Sequence, residues 1–142
     1  MKKKNIILTI FLIVCVGLIA SAVYLFNDIF PKAKPIRHPK LDEIVSVTLS
    51  CNTPDGTISM SEQYYEDLTF YISEAKPTRQ QSLNDTPTSG TYYGVEIQTD
   101  EIQYRYFVYE EGEQIYIEMP YEGIYTSKVE LLDLVLEYFE EG

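Results

Sequence analysis

The sequence predicts an α+β fold that follows an N-terminal transmembrane helix, with an antiparallel meander of about five strands and two helices on one face. Three observations lead to this prediction. The chain begins with a long apolar run, residues 92–119 alternate apolar and polar side chains with the period of β-strands, and two Ser-x-x-Glu capping boxes each precede apolar residues at helical spacing. The expected order of elements after the transmembrane helix is β-α-β-β-β-β-α.

The N-terminal segment, residues 1–30, is interpreted as a signal anchor. Ile6–Phe26 is nearly uncharged and would span about 31 Å as a helix, close to the thickness of a bilayer core. Lys2–Lys4 precede it. Ala20–Ala22 resembles a cleavage site and leaves removal of the segment after Ala22 open, and Cys15 leaves lipoprotein processing open. An uncleaved anchor is favoured because the apolar run continues through Val23–Phe26.

Charge divides the remaining chain into a basic stalk and an acidic domain. Residues 31–40 contain three prolines and four basic side chains, which is typical of a semi-rigid spacer. Residues 41–142 contain 21 acidic side chains against four basic ones. This balance excludes nucleic acid as a partner. The expected topology is a single pass through the cell membrane with the acidic domain outside. The basic side chains of the stalk either bind lipid headgroups or only contribute to solubility and topology.

The first half of the domain is expected to form one strand, one helix and one weak strand. Val45, Val47, Leu49 and Cys51 alternate with polar residues and should share the buried face of a strand. The sequence NTPDG should turn the chain, and the capping box Ser59–Glu62 should open a helix that Pro77 stops. Residues 78–83 form a weak strand pattern, and a loop follows.

Two hairpins in the second half predict the same buried face. A turn at Asp100-Glu101 pairs Val95 with Tyr106, and a turn at residues 110–113 pairs Tyr106 with Ile117. Both registers therefore place one set of side chains in the core. This set is Tyr93, Val95, Ile97, Tyr104, Tyr106, Val108, Ile115, Ile117 and Met119.

The opposite face of these strands provides the candidate binding residues. In the predicted register Arg105 stands between Glu96 and Glu118. An arginine in this position lowers the pKa of both carboxyl groups, whereas a general acid needs a raised pKa. The three side chains are therefore interpreted as a cross-strand ion pair rather than as a pair of catalytic carboxylates. Aromatic side chains on this face are typical of recognition surfaces. The alternative is that a strand or the loop 83–91 covers them. The candidate binding residues are Tyr92, Arg105, Phe107, Tyr109 and Tyr116 on this face, together with Tyr121 and Tyr125 from the segment that follows the strands.

The segment Pro120–Tyr125 is interpreted first as a strand-to-helix corner and alternatively as a binding loop. Pro120 should end a strand and Gly123 should adopt positive φ, before the capping box at residues 127–130 opens the last helix. Ile124 and either Tyr121 or Tyr125 should pack under that helix. Other structural roles are expected for the turn residues Asn84, Asp85 and Pro87.

Catalytic and metal-binding patterns are scarce. His38, the single histidine, lies in the stalk, and Cys51 belongs to an apolar strand face. The sequence contains no GxSxG motif, no calcium-binding DxDxDG loop and no glycine-rich phosphate loop. We therefore expect no enzymatic activity, no cofactor and no metal.

Two segments carry a family resemblance. The sequences SLNDTP at residues 82–87 and FVYEEGEQIYIEMPYEGIY at residues 107–125 follow a membrane anchor, and together they resemble a domain family of unknown function from Firmicutes. The resemblance implies a small membrane- or lipid-anchored extracytoplasmic protein. It implies no activity and no catalytic residues.

The expected function is that of an anchored extracytoplasmic binding domain, whose partner is an envelope or membrane protein or a peptide. The alternative is an accessory subunit that regulates another membrane protein through the span and takes part in envelope sensing. An enzyme is the least favoured interpretation.

Overall fold

The structure is a computed structural model that describes residues 2–88 and 90–140. It divides into two compact units, Met1–Lys32 and a unit that begins at Ala33. The first unit contains helix α1, Lys2–Ile29, which has no buried residue and is long and apolar enough to cross a membrane. This helix agrees with the predicted N-terminal anchor.

The described residues of the second unit form seven strands and two α-helices. They are β1 (Ile44–Asn52), β2 (Asp55–Ser59), α2 (Tyr65–Ser73), β3 (Lys76–Pro77), β4 (Tyr92–Thr99), β5 (Gln103–Glu111), β6 (Gln114–Met119), β7 (Gly123–Ser127) and α3 (Val129–Glu140). All strand pairs are antiparallel, and the sheet order is β2-β1-β4-β5-β6-β7-β3. The α+β prediction is confirmed. The strands β2, β3 and β7 were not expected, and residues 78–83 form no strand, so that prediction was wrong.

The core lies between one sheet face and the two helices. Every residue of the predicted core face belongs to it, with Tyr93 and Tyr104 partly buried. The helices contribute the buried side chains Tyr65, Leu68, Ile72, Leu131, Leu132, Leu134 and Val135. Cys51 is buried at the end of β1, as its strand pattern predicted.

Strand β1 departs from simple alternation at its start. Val47, Leu49 and Cys51 are buried, but Val45 is 54% exposed. The pairing with β4 shifts register between Ile44 and Ser46, which marks a β-bulge at Val45. A bulge changes the side to which the following residues point. The prediction that Val45 shares the buried face was therefore wrong.

The two predicted hairpin registers fared differently. The first is confirmed, because Val95 pairs with Tyr106 around the turn at Asp100-Glu101. In the second, Val108 pairs with Ile117 instead of Ile115, so β6 is shifted by two residues. The turn is shorter than expected because Gly112 adopts a φ of 66° and lets the chain reverse between Glu111 and Gln114. A shift of two preserves the predicted core face.

Neither predicted capping box begins a helix. Ser59 pairs with Thr48 as the last residue of β2, and a 3-10 turn separates it from α2. Ser127 pairs with Ile115 as the last residue of β7, and its hydroxyl is buried without a hydrogen-bond partner among the described residues. Both serines pair in strands instead of capping helices, because a local preference for capping is weaker than the pairing of a strand in a sheet.

The predicted stalk, residues 31–40, is packed on the domain from Ala33 onward. Ile36 and Pro39 are buried. The hydroxyl of Tyr106 donates a hydrogen bond of 2.6 Å to the backbone oxygen of Arg37, and the Arg37 guanidinium forms an ion pair with Glu122. This segment is therefore part of the fold rather than a free spacer.

The corner after β6 has its positive φ at a different residue from the one predicted. Pro120 follows the last residue of β6, as predicted. The positive φ of 62° belongs to Tyr121, while Gly123 begins β7 with no positive φ. Tyr125 lies in the core, but Ile124 points to the opposite sheet face and lies outside the core cluster. The predicted positive φ of Gly123 and the packing of Ile124 under α3 were therefore wrong.

Gly123→Ala is expected to destabilise the domain by about 1–3 kcal/mol, the usual cost of overpacking. A Cβ at this position would lie 2.5 Å from the Cβ of Ala33, so the backbone of segment 33–40 would have to move. Chemical denaturation measures the loss. Ala33→Gly should restore most of the stability in the double variant, and an unchanged stability of Gly123→Ala would contradict the close approach.

Candidate ligand-binding site on the outer sheet face

The sheet face opposite the two helices, here called the outer face, carries several cross-strand rows of side chains, and two of them contribute to the candidate site. The first row consists of Tyr92, Tyr109 and Tyr116. The second row consists of Gly94, Phe107, Glu118 and Ile124. The rings of Tyr109 and Tyr116 stack at 5.7 Å, and Tyr92 meets Phe107 edge-on at 5.3 Å. The absence of a side chain at Gly94 leaves room for the Ser50 hydroxyl.

A coil formed by residues 78–88 and 90–91 lies over part of this face and is held by hydrogen bonds at several points. The Ser82 hydroxyl donates to the Glu118 carboxylate at 2.6 Å and accepts from the backbone N–H of Tyr121 at 3.3 Å. The Tyr121 hydroxyl donates to Asp85 at 2.9 Å. At the start of the coil, the N–H of Thr78 donates to the backbone oxygen of Ile124 at 3.0 Å.

Coil and sheet enclose a cavity of about 430 Å³, here called the Glu118 cavity. Its volume is in the range of small-ligand sites in proteins. The sheet contributes Tyr109, Glu118 and Ile124 to its lining, and Glu110 and Glu111 line it at the hairpin end. The coil contributes Gln80, Gln81, Leu83, Asn84, Pro87 and Thr88. The lining therefore combines carboxylates, amides and one aromatic ring.

Glu118 and Tyr109 form the polar centre of the cavity. Glu118 is only 6% exposed, and its second carboxylate oxygen lies 3.5 Å from the Tyr109 hydroxyl. Burial, and after it the negative charge of Glu118, raises the pKa of Tyr109 well above its usual range. Tyr109 therefore stays protonated at neutral pH and presents a hydroxyl that can donate a hydrogen bond.

A second cavity, of about 400 Å³, lies beside the corner after β6 and is here called the Arg105 cavity. Arg37, Asp85, Arg105 and Tyr121 line it. Arg105 is paired with Glu96 across β4 and β5 at 2.8 Å, as predicted. Because β6 is shifted by two residues, Glu118 pairs with Phe107 and does not flank Arg105. The predicted carboxylate–Arg105–carboxylate row was therefore wrong.

The structure separates the predicted binding residues into groups. Phe107 and Tyr125 are buried, and Tyr92 and Tyr116 are half-buried on the outer face. The coil covers the outer face in part, which is the alternative that the sequence had left open. Tyr109 lines the Glu118 cavity, whereas Arg105 and Tyr121 line the Arg105 cavity.

The residues with predicted structural roles lie around the two cavities. Asn84 lines the Glu118 cavity, and Pro87 is buried beside it. Asp85 anchors the Tyr121 hydroxyl, Pro120 opens the corner after β6, and Gly123 begins β7.

Sequence reasoning did not select Glu118, Ser82 or the glutamines of the coil as site residues. The missed signal was the dipeptide Gly112-Glu113, because a glycine at the first position of a two-residue hairpin loop favours a tight primed turn. That turn sets the shorter register and moves Glu118 from Arg105 to Phe107, under the coil. The sequence contains no comparable signal for the path of the coil.

A cysteine and a histidine that could provide nucleophilic or general-base chemistry lie elsewhere. Cys51 is buried at the end of β1, where its thiol is 3.3 Å from the backbone oxygen of Thr53. His38 lies in the segment 33–40 and lines a surface groove together with Phe70 of α2. Neither side chain is part of the Glu118 cavity lining.

Comparison with models of protein families identifies the family of this domain. The profile of family DUF5301, described as "Domain of unknown function (DUF5300)", matches residues 32–126. The chain belongs to the DUF5301 family. The DUF5301 match begins just before the packed segment 33–40 and ends within β7. It therefore includes both cavities, the coil and all but the last residue of the sheet.

A solved structure has the same fold as the DUF5301 domain. It is described as "NMR structure of the protein from Ruminococcus gnavus" and superposes with a TM-score of 0.53 at 26% sequence identity. The alignment covers 64% of this chain and 89% of that one. No curated protein matches the chain.

Proposed function

We propose that this chain is a membrane-anchored extracytoplasmic binding domain that acts without catalysis and takes its ligand in the Glu118 cavity. The observation that carries this proposal is the cavity itself, whose floor is formed by half-buried Tyr109 and buried Glu118 on a rigid sheet. A site of this kind, with a few polar groups on a regular scaffold and a coil over it, is typical of ligand recognition.

The anchor supports the proposed location. Helix α1 is long and apolar enough to span a bilayer, and Lys2–Lys4 stand at its start. Basic residues before a span favour the cytoplasmic side for the short N-terminus. The acidic domain then lies outside, where it would meet envelope proteins, peptides or soluble molecules.

Site-specific crosslinking tests the binding function. A photoreactive amino acid replaces Leu83, a coil residue that lines the cavity and is 68% exposed, in the full-length chain in intact cells. The matched control carries the same amino acid at Asp133, an exposed position of α3. We expect a discrete crosslinked product from position 83 and none from position 133. The same products from both positions, or none from position 83, would contradict a ligand at the cavity.

A second candidate function, an accessory subunit of another membrane protein, is favoured by the packed segment 33–40. Only residues 30–32 separate α1 from this segment, so the domain is joined to its anchor by a very short connection. Replacing α1 by an unrelated apolar helix distinguishes the two functions. Loss of the crosslink at position 83 would favour the accessory subunit, because a cavity ligand does not require the native span.

A further inference from the structure

We propose that the Glu118 cavity recognises a primary ammonium group carried on a small polar body, such as an amino sugar or a lysine side chain. This inference rests on the proposed binding function and adds the chemistry of the ligand. Glu118 is a carboxylate that is 6% exposed and lines a cavity large enough for a small organic molecule. A buried carboxylate is costly unless cations or hydrogen-bond donors compensate it.

The hydrogen bonds around Glu118 fix its position. The Ser82 hydroxyl donates to one carboxylate oxygen at 2.6 Å, and the Tyr109 hydroxyl lies 3.5 Å from the other. Ser82 belongs to the coil and Tyr109 to β5, so the carboxylate is held from both sides of the cavity. Hydroxyls compensate a negative charge only in part, and an ammonium group would add a charge-assisted hydrogen bond.

The charges around the cavity favour a cation. Glu110 and Glu111 line the hairpin end, and residues 41–142 carry 21 acidic side chains against four basic ones. A cleft lined by charges of one sign concentrates ions of the opposite sign. An anionic ligand such as a phosphate or a carboxylate would meet repulsion from the same groups.

Aromatic and amide groups match the other requirements of an ammonium ion. Such an ion has three N–H donors and is attracted to an aromatic face. The cavity provides the Tyr109 ring and the side-chain oxygens of Gln80, Gln81 and Asn84 as further acceptors. The amides can also hydrogen-bond the hydroxyls or peptide groups of the ligand body.

The geometry disfavours a bare metal ion. Calcium takes six to eight oxygen ligands in a tight shell and usually requires several carboxylates. The described residues contain no group of three or more His, Cys, Asp or Glu side chains that could hold a metal. A volume of about 430 Å³ far exceeds that of an ion and fits a small organic molecule.

Paired probes that differ only in the charge of the amine test the ligand class. The probes are glucosamine against N-acetylglucosamine, and Nα-acetyl-lysine amide against its Nε-acetylated form. Binding is measured from amide chemical shifts of the full-length, isotope-labelled chain in micelles. We expect at least one amine to shift the amides of Gln80, Asn84 and Tyr109, and its acetylated twin to bind about tenfold more weakly or not at all. The amine that binds identifies the source.

Two variants connect binding to the cavity. Glu118→Gln keeps the shape of the side chain and should weaken the amine about tenfold or more, whereas Glu137→Gln, an exposed position of α3, should leave it unchanged. Tyr109→Phe keeps the ring and should weaken it less. If Glu118→Gln does not fold, the Tyr109→Phe and Glu137→Gln pair decides the question.

Different results would overturn the ammonium site and the proposed binding function. Equal binding by Glu118→Gln and Glu137→Gln, a preference for acetylated probes, or no binding of either amine would overturn the ammonium site. A crosslink at position 83 alongside any of these results would leave the binding domain in place with a different ligand. Absence of that crosslink would remove the proposed function itself.

Discussion

Tyr125→Ala is expected to destabilise the domain by about 3–5 kcal/mol, the usual cost of removing a large buried aromatic side chain. Tyr125 is 1% exposed, belongs to the core cluster and lies on β7 opposite Ile117. Its removal would leave a cavity between sheet and helices that the surrounding strands cannot close. Thermal or chemical denaturation of the variant measures the loss.

Tyr121→Ala is the matched control, four residues earlier in the same corner. Tyr121 is 65% exposed, and its hydroxyl hydrogen-bonds Asp85 at the surface. Alanine keeps the unfavourable positive φ and loses one exposed hydrogen bond, so we expect a loss of about 1 kcal/mol or less. Equal losses in the two variants would contradict the described corner. If both variants were stable and both lost the crosslink at position 83, the corner would be a binding loop.

The domain is also expected to lose stability as the pH rises above about 10. Burial is the largest cause of the raised pKa of Tyr106, which is fully buried in the core. In the unfolded chain its pKa is near 10. Above that pH the unfolded state releases a proton that the folded state retains, so the free energy of unfolding falls. The stabilisation is complete below pH 10 and is lost with increasing pH at about 1.4 kcal/mol per unit.

Denaturant titrations at neutral and alkaline pH measure this dependence, with tyrosinate absorbance as a second signal. Tyr109, whose pKa is raised by burial and by Glu118, adds a smaller effect because it is partly exposed. Tyr106→Phe is the control. It should be less stable at neutral pH, since its hydroxyl donates to the Arg37 backbone, but should show a flatter dependence above pH 10. An unchanged slope in this variant would contradict the assignment to Tyr106.

The core face could be predicted because its pattern tolerates errors of an even number of residues. The second hairpin was misplaced by two, and Ile115, Ile117 and Met119 still point to the core. The outer face has no such tolerance. The same shift separated Glu118 from Arg105 and placed it beside Phe107. The sequence therefore predicted the fold class of the domain but not the position of Glu118 at the centre of the site.

Local signals failed where tertiary pairing competed with them. Ser59 and Ser127 have good capping sequences, yet both lie in short strands that gain more from pairing with β1 and β6. The coil over the outer face has no periodicity in its sequence, so its path depends on individual hydrogen bonds such as that between Ser82 and Glu118. Hydrogen bonds between residues 36 positions apart are not visible in a local pattern.

The two edge strands of the sheet affect the tendency of the domain to self-associate. One edge strand is β3, which has two residues including Pro77, and proline has no N–H to donate to a neighbouring chain. The other edge strand is β2, which is five residues long. A strand of two residues is a poor template for strands from other molecules. The β3 edge therefore offers little opportunity for edge-to-edge aggregation.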